Sequence, residues 1–310
     1  MIRILFIAAL IAAAPSLAVK PLATGAHRFQ SDGLSLWYRV AGPAHGIPVI
    51  YLHGGPAEGS QGLAHTSGPA LERKLRMVYF DQRGAGHSDR PDDASRYTMA
   101  LIVDDIERLR KQLGVPKIAL LGHSYGSILA LEYAARFPER VTRMVLIGTV
   151  VDQRATTNLE CGRLKAEDAD AFERAVKAAD RPGDPICIPM EGVEGPARYA
   201  YFLRASGAKP GTLEALDASD AVEKVTMDGP AHVTLADPEF HYRFDQTAKL
   251  TMPILVIAGG KDRLTDPAPV RPFVAALKDG RMITYPDAGH FLYVDDASRF
   301  ARDVTDFLDH

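Results

Sequence analysis

The sequence predicts an α/β protein: a mostly parallel sheet flanked by helices, with a helical block inserted into it. Three observations carry that expectation. Short apolar runs alternate with helix-period segments across residues 29–150, the alternation stops over 152–246, and it returns from residue 254 onward. Strands separated by helices require crossover connections, and crossovers produce parallel neighbours. An all-helical block between two halves of such a sheet reads as a cap over its working edge.

Taken in chain order, residues 1–18 differ in kind from the rest. Arg3 precedes an eleven-residue apolar run, 4–14, and small residues Ser16 and Ala18 stand three and one before a cut after Ala18. That pattern is a secretory signal peptide, so it is set aside from the fold. No later segment reaches the length of a membrane span. The core is then expected over 19–151 and 247–310, and the cap over 152–246.

Within the first half, 34–40, 48–52, 77–80, 117–121 and 141–147 read as strands, being short and rich in β-branched, aromatic and aliphatic residues. Between the third and fourth, Leu101, Ile102, Ile106, Leu109 and Leu113 recur at helical spacing over 99–113, and Gly114 and Pro116 end that helix. A second helix is expected over 124–137. The cap holds helical stretches at 165–179, 197–205 and 212–225. The second half supplies strands at 254–258 and 282–285 and helices at 270–277 and 297–308.

The 310 residues carry a net charge of −3, which gives no reason to expect a nucleic-acid partner. The cap segment holds 18 acidic and 11 basic residues and is strongly negative. A solvated acidic face explains that; so does a set of carboxylates meeting a cationic substrate. Only two cysteines occur, Cys161 and Cys187, and in an exported protein an isolated pair points to a disulfide that staples one segment. No Cys/His cluster has metal-ligand spacing, and no cofactor is implied.

The strongest motif is Gly122-His123-Ser124-Tyr125-Gly126, directly after a strand and directly before a helix. A serine on a sharp strand-to-helix turn exposes its hydroxyl, and glycines on both sides let neighbouring backbone approach. A hydroxyl attacks only when a base takes its proton. Gly259-Gly260-Lys261-Asp262 follows one late strand and Pro286-Asp287-Ala288-Gly289-His290 follows another, so Asp262 and His290 can meet Ser124 at the strands' carboxyl edge. Asp266 and Asp287 are rival acids: the first would begin a helix, the second is too close to His290 in sequence. His123 is expected to point away. The turn His53-Gly54-Gly55-Pro56 offers Gly55 N–H as one oxyanion donor, with Tyr125 N–H as the other.

Together these residues resemble the proline iminopeptidase family of serine peptidases, within the α/β-hydrolase fold. The matching pieces are His53-Gly54-Gly55-Pro56, the stretch from Asp81 to Ser88, the elbow continued through Ser127-Ile128-Leu129-Ala130-Leu131, Pro138-Glu139-Arg140-Val141, and the Asp262 and His290 segments. The resemblance spans about 48–150 and 250–308 and implies Ser124, Asp262 and His290 as triad, with Gly55 and Tyr125 as oxyanion hole. It implies release of an N-terminal residue, typically proline, from a small or short peptide substrate. Three features depart from the family: Ala57 replaces a glycine, His123 and Tyr125 flank the serine where Gly and Trp are usual, and the sole tryptophan, Trp37, lies outside the cap. Glu191, Glu194, Glu223 and Glu239 are therefore given no role toward the substrate's amino end. An ester or lactone hydrolase with the same triad, its cap lined by Phe172, Tyr199, Phe202 and Phe244, is the second expectation, and a non-catalytic binding homologue the third. The oligomeric state is left open.

Overall fold

The computed structural model describes residues 23–179, 184–225 and 241–309. The expected signal peptide at 1–18, and Glu239, lie outside them. Eight strands form one sheet in the order β1-β2-β4-β3-β5-β6-β7-β8. They are β1 (Gly25–Ser31), β2 (Leu34–Ala41), β3 (Val49–Leu52), β4 (Met77–Phe80), β5 (Ile118–His123), β6 (Val141–Ile147), β7 (Ile254–Gly259) and β8 (Gly280–Tyr285). The pairs β1–β2 and β2–β4 are antiparallel; from β4 to β8 every pair is parallel.

Burial explains which strands sit where. Every residue of β3, β4, β5 and β7 is buried, as a strand covered by helices on both faces requires. Strand β2 alternates buried and half-buried positions, and β1 buries only Phe29 and Ser31. That sparse apolar content is why β1 had no distinct signature: it is an edge strand whose hydrogen bonds come from β2 alone.

Helices α1 (Gln61–His65) and α2 (Gly68–Leu71) follow β3, α3 (Met99–Gln112) follows β4, and α4 (Tyr125–Arg136) follows β5. Thr98 caps α3 by accepting from Leu101 N–H, and Gly114 ends the turn beyond it at φ +68°. Ten of the twelve residues of α4 are buried, so it is the central helix beneath the sheet. The other face is covered by α1, α2 and the two helices that follow β8.

Between β6 and β7 lie α5 (Gln153–Glu167), α6 (Ala169–Ala178), α7 (Pro196–Ser206) and α8 (Thr212–Glu223). The single helix expected at 165–179 is in fact broken. Asp168 leaves helical geometry, at φ −152° and ψ 94°, and its carboxylate accepts from Ala171 N–H, ending α5 and capping α6. Asp152 caps α5 in the same way through Ala155 N–H. Helices α5, α6 and α7 have a small core of their own with Cys187, made of Cys161, Leu164, Ala171, Ala175, Tyr201 and Ala205, and Cys161 and Cys187 are disulfide-bonded within it, whereas α8 packs against the main core. After β7 and β8 come α9 (Val270–Ala276), the short α10 (Leu292–Asp295) and α11 (Ala297–Leu308). No helix among the described residues is long and apolar enough to cross a membrane.

Candidate active site

The carboxyl ends of β3, β5, β6, β7 and β8 form one lip, and each delivers a piece of the site. Strand β5 ends into Ser124, whose φ of 51° and ψ of −121° place a non-glycine residue in strained backbone. The strain holds because the surroundings fit tightly. A Cβ at Gly126 would lie 2.0 Å from the Leu52 carbonyl oxygen, and one at Gly122 would lie 2.6 Å from the Gly126 oxygen. The Ser124 amide donates to Ile147 O at 2.9 Å, and Ser127 Oγ donates to Ser124 O at 2.6 Å while accepting from Val150 N–H at 2.9 Å. Both backbone groups of the elbow are therefore tied to the β6 end.

Strand β3 delivers the Gly-rich turn. His53 is fully buried, and burial pushes its imidazole below its ordinary pKa, so it is neutral. Its Nδ1 lies 3.0 Å from Gly54 O as donor, and its Nε2 accepts from Gln82 N–H at 3.1 Å, while Gln82 Nε2 donates back to His53 O at 3.0 Å. This double tie fixes the turn against the loop after β4. Gly55 stands at φ +113°, and Ala57 at φ 74°, a left-handed conformation that explains why a glycine suits position 57 in the resembled family. A Cβ at Gly54 would be 3.0 Å from Ser124 Cβ, so the turn lies directly on the serine. Glu58 Oε2 is 3.2 Å from the same point. His123 Nδ1 is 3.0 Å from that point as well, and the Glu58 carboxylate was not singled out from sequence.

The Asp81–Ser88 stretch is architectural. Asp81 is buried and accepts from Ser60 N–H (2.9 Å), Ser60 Oγ (2.6 Å), His87 N–H (2.8 Å) and His87 Nδ1 (3.1 Å). Burial opposes its charge, yet these donors hold it below the usual carboxylate range. Arg83 makes a two-point pair with Asp105, at 2.7 and 2.8 Å, both side chains fully buried.

Strands β7 and β8 bring Asp262 and His290 together. His290 Nδ1 lies 2.9 Å from Asp262 Oδ2, and the side chains are 7% and 1% exposed. Asp262 Oδ1 accepts from Thr265 N–H at 2.9 Å, and Thr265 Oγ1 lies 2.5 Å from Asp262 Oδ2 and 3.2 Å from His290 Nδ1. The rival acids are engaged elsewhere. Asp266 accepts from Arg163 Nη2 at 2.5 Å and from Ala268 N–H at 2.8 Å, while Asp287 is exposed with Lys261 at 3.3 Å. Gly148, just past β6, faces the imidazole: a Cβ there would be 3.0 Å from His290 Cε1.

His123 turns away from the hydroxyl's side into the layer behind the sheet. Its ring packs 4.8 Å from His290, 5.7 Å from Phe291 and 5.1 Å from Tyr293, between centroids. Burial, then the neighbouring His290, push its pKa well below the ordinary value. As a neutral ring it donates through Nε2 to His290 O at 3.2 Å, bracing the loop that carries His290.

Helix α7 braces that loop from the cap side. Its last residue, Ser206, accepts from His290 N–H at 2.7 Å, and Ala205 O accepts from Arg263 N–H at 2.8 Å. Arg263 then reaches into the cap: Nε and Nη2 donate to Glu160 at 2.8 and 2.6 Å, and Nη1 donates to Glu167 at 2.9 Å. Tyr201 O–H donates to Glu160 at 2.7 Å. Burial works against the Arg263 charge, but Glu160 and Glu167 outweigh it and raise its pKa. The loops that carry Asp262 and His290 are therefore docked on α5 and α7 together.

Other cap expectations are redistributed. Glu191 pairs with Arg198 at the surface, Glu194 is exposed, and Glu223 contacts His65 and His87. Phe244 packs on Phe273, Tyr199 is 59% exposed, and Phe172 lies against the cap core. Of the four aromatics expected to line the site, only Phe202 approaches it, through Phe291, which in turn packs on His290. Among the described residues no group of three or more His, Cys, Asp or Glu side chains is arranged to hold a metal ion.

A family model described as the alpha/beta hydrolase fold matches residues 47–297. The chain is 33% identical over 225 residues to a probable proline iminopeptidase of Streptomyces coelicolor, an alignment that covers 70% of this chain and 66% of that relative. The solved structure of a proline iminopeptidase-related protein from Thermus thermophilus matches with a TM-score of 0.73 and 25% identity, covering 93% of this chain and 98% of that one. An esterase from Rhodococcus sp. ECU1013 shares the fold, with a TM-score of 0.67, 22% identity and coverage of 91% and 97%. The chain belongs to the α/β hydrolase fold family, and within it is similar to proline iminopeptidases.

Proposed function

We propose that the chain is an exported serine hydrolase that removes an N-terminal residue, proline foremost, from short peptides through an acyl-enzyme on Ser124. Ser124 Oγ attacks the first peptide carbonyl as its proton passes to His290 Nε2. The imidazolium is stabilised by Asp262 across the 2.9 Å contact at Nδ1. Negative charge developing on the carbonyl oxygen is met by the N–H groups of Gly55 and Tyr125, with the α4 N-terminus adding its dipole. The imidazolium returns the proton to the departing amine, and water, activated in the same way, releases the amino acid from Ser124.

The single observation that carries this proposal is the buried Asp262–His290 pair at the same lip as the strained Ser124 elbow. The peptidase choice draws on the likeness to proline iminopeptidases, and to Glu58, on the turn that lies against the serine, this reading assigns the substrate's ammonium. Ester or lactone hydrolysis remains the competing outcome, weakened because Phe172, Tyr199 and Phe244 point to other duties. Export draws on residues 1–18 and agrees with the Cys161–Cys187 bond.

The test is a panel of prolyl and other aminoacyl amides beside short acyl esters, each with the amine free and acetylated. Turnover of free prolyl amides with inert acetylated partners supports the peptidase. Equal turnover of blocked and free substrates overturns it, and preferred turnover of neutral esters turns the assignment to an esterase.

A further inference from the structure

We infer that Thr265 is a positioning residue of the catalytic centre, a hydroxyl wedge that aims the Asp262 carboxylate and sets how strongly it holds His290. This rests on the Ser124–His290–Asp262 assignment proposed above and deepens it. Thr265 is 6% exposed and grips both oxygens of the acid: its amide donates to Oδ1 at 2.9 Å, and its hydroxyl, 2.5 Å away, donates to Oδ2. A carboxylate held at both oxygens by one residue cannot rotate about its terminal bond. The hydroxyl is itself confined. Its β-branched side chain is stiff, and a Cβ at Gly148 would lie only 3.3 Å from Oγ1, so the β6 end walls it in.

The proton inventory gives Thr265 a second effect. In the tautomer that leaves Nε2 able to accept the Ser124 proton, His290 Nδ1 carries a hydrogen and donates. Thr265 Oγ1 has one hydrogen, which goes to the charged Oδ2, so toward Nδ1, 3.2 Å away, it can only accept. The Nδ1–H is thus shared between Oδ2 and Oγ1, and Oδ2 accepts two hydrogen bonds. When Ser124 gives up its proton, that proton rests on Nε2; none passes to Asp262 or Thr265. Thr265 therefore touches both members of the pair, holding the carboxylate and keeping the imidazole aimed.

The experiment measures kcat/KM against pH for the full chain and for Thr265→Val, Thr265→Ser and Ser124→Ala, on whichever amide or ester of the panel is turned over fastest. Thr265→Val keeps the shape and removes the O–H. It should lower kcat/KM about 10-fold, the usual weight of a hydrogen bond to a charged group. It should also move the acidic limb of the profile by about half a unit, because both members of the pair lose a partner. Thr265→Ser, which retains the O–H, should restore both. Should Thr265→Val not fold, Thr265→Ala reads the same limb. An unshifted limb with kcat/KM within about twofold of wild type overturns the inference, as does a serine variant as impaired as the valine one. If Ser124→Ala loses about 10⁴-fold or more while Thr265→Val is unchanged, only the role of Thr265 falls. If Ser124→Ala stays active, the triad assignment itself falls.

Discussion

Arg263→Leu tests whether the cap and the acid loop are one mechanical unit. Arg263 gives two N–H groups to Glu160, at 2.8 and 2.6 Å, and one to Glu167. The Glu160 side chain is 6% exposed, so removing the guanidinium leaves a nearly buried carboxylate whose remaining partners are Tyr201 O–H at 2.7 Å and Arg163 Nη1 at 3.5 Å. Breaking a buried pair from one side typically costs about 3–5 kcal/mol; with Tyr201 still donating and the part-exposed Arg163 still paired, no more than about 3 kcal/mol is expected. The Glu167 side chain is 38% exposed and adds little. Glu160→Gln in the same chain removes the stranded charge but keeps an acceptor for Tyr201, so the double variant should recover about half of the loss. Urea unfolding followed by far-UV circular dichroism, with hydrogen exchange across α5, measures both. A single variant within about 0.5 kcal/mol of wild type, or a double variant no better than the single, would refute the reasoning.

Four further perturbations have defined outcomes. Gly148→Ala sets a methyl 3.0 Å from His290 Cε1 and should lower kcat about 10-fold or more by shifting the imidazole; unchanged turnover would mean the base has room that the packing denies. Glu58→Gln should cut kcat/KM for free-amine substrates about 10-fold relative to neutral esters, and an equal effect on both classes would remove its amine-recognition role. Replacing Cys161 and Cys187 by serine opens a loop of 26 residues and should cost about 3.5 kcal/mol, read as early unfolding of the cap amides while the sheet stays protected. His87 has a pKa raised above 6.5, first by its hydrogen bond to Asp81 and further by Glu223, so its stabilisation is complete below pH 6.5 and fades as pH rises through the folded value. Wild-type Tm should therefore fall with pH above 6.5 more steeply than that of His87→Gln, and parallel curves would contradict the linkage.

The legible parts of the sequence were those where local pattern and global place agree. Continuous apolar runs marked β3, β4, β5 and β7 because central parallel strands are buried on both faces. The Gly122–Gly126 motif marked the elbow because only glycine tolerates backbone at 2.0–2.6 Å from a would-be Cβ. Asp262 was legible as a polar residue just past one such strand, and His290 as one just past the edge strand β8. Less legible was whatever depends on neighbours distant in the chain. Strand β1 buries two residues and is specified by its partner. The break at Asp168 needed its cap bond to Ala171, since aspartate also sits within ordinary helices. Arg263 and Glu160 are 103 residues apart, His53 and Gln82 are 29 apart, and no spacing rule joins them. Thr265 lies three residues from Asp262 and was within reach: an isolated Thr just past an acid at a strand end is a candidate hydroxyl partner.

The central claim is that Ser124 is the nucleophile that His290 activates. Reaction with a fluorophosphonate, followed by intact mass and peptide mapping, reads this directly. One adduct is expected, on Ser124, formed together with loss of hydrolytic activity and strongly slowed in His290→Ala. An adduct on another residue, or full hydrolysis by a protein that never labels at Ser124, would contradict it.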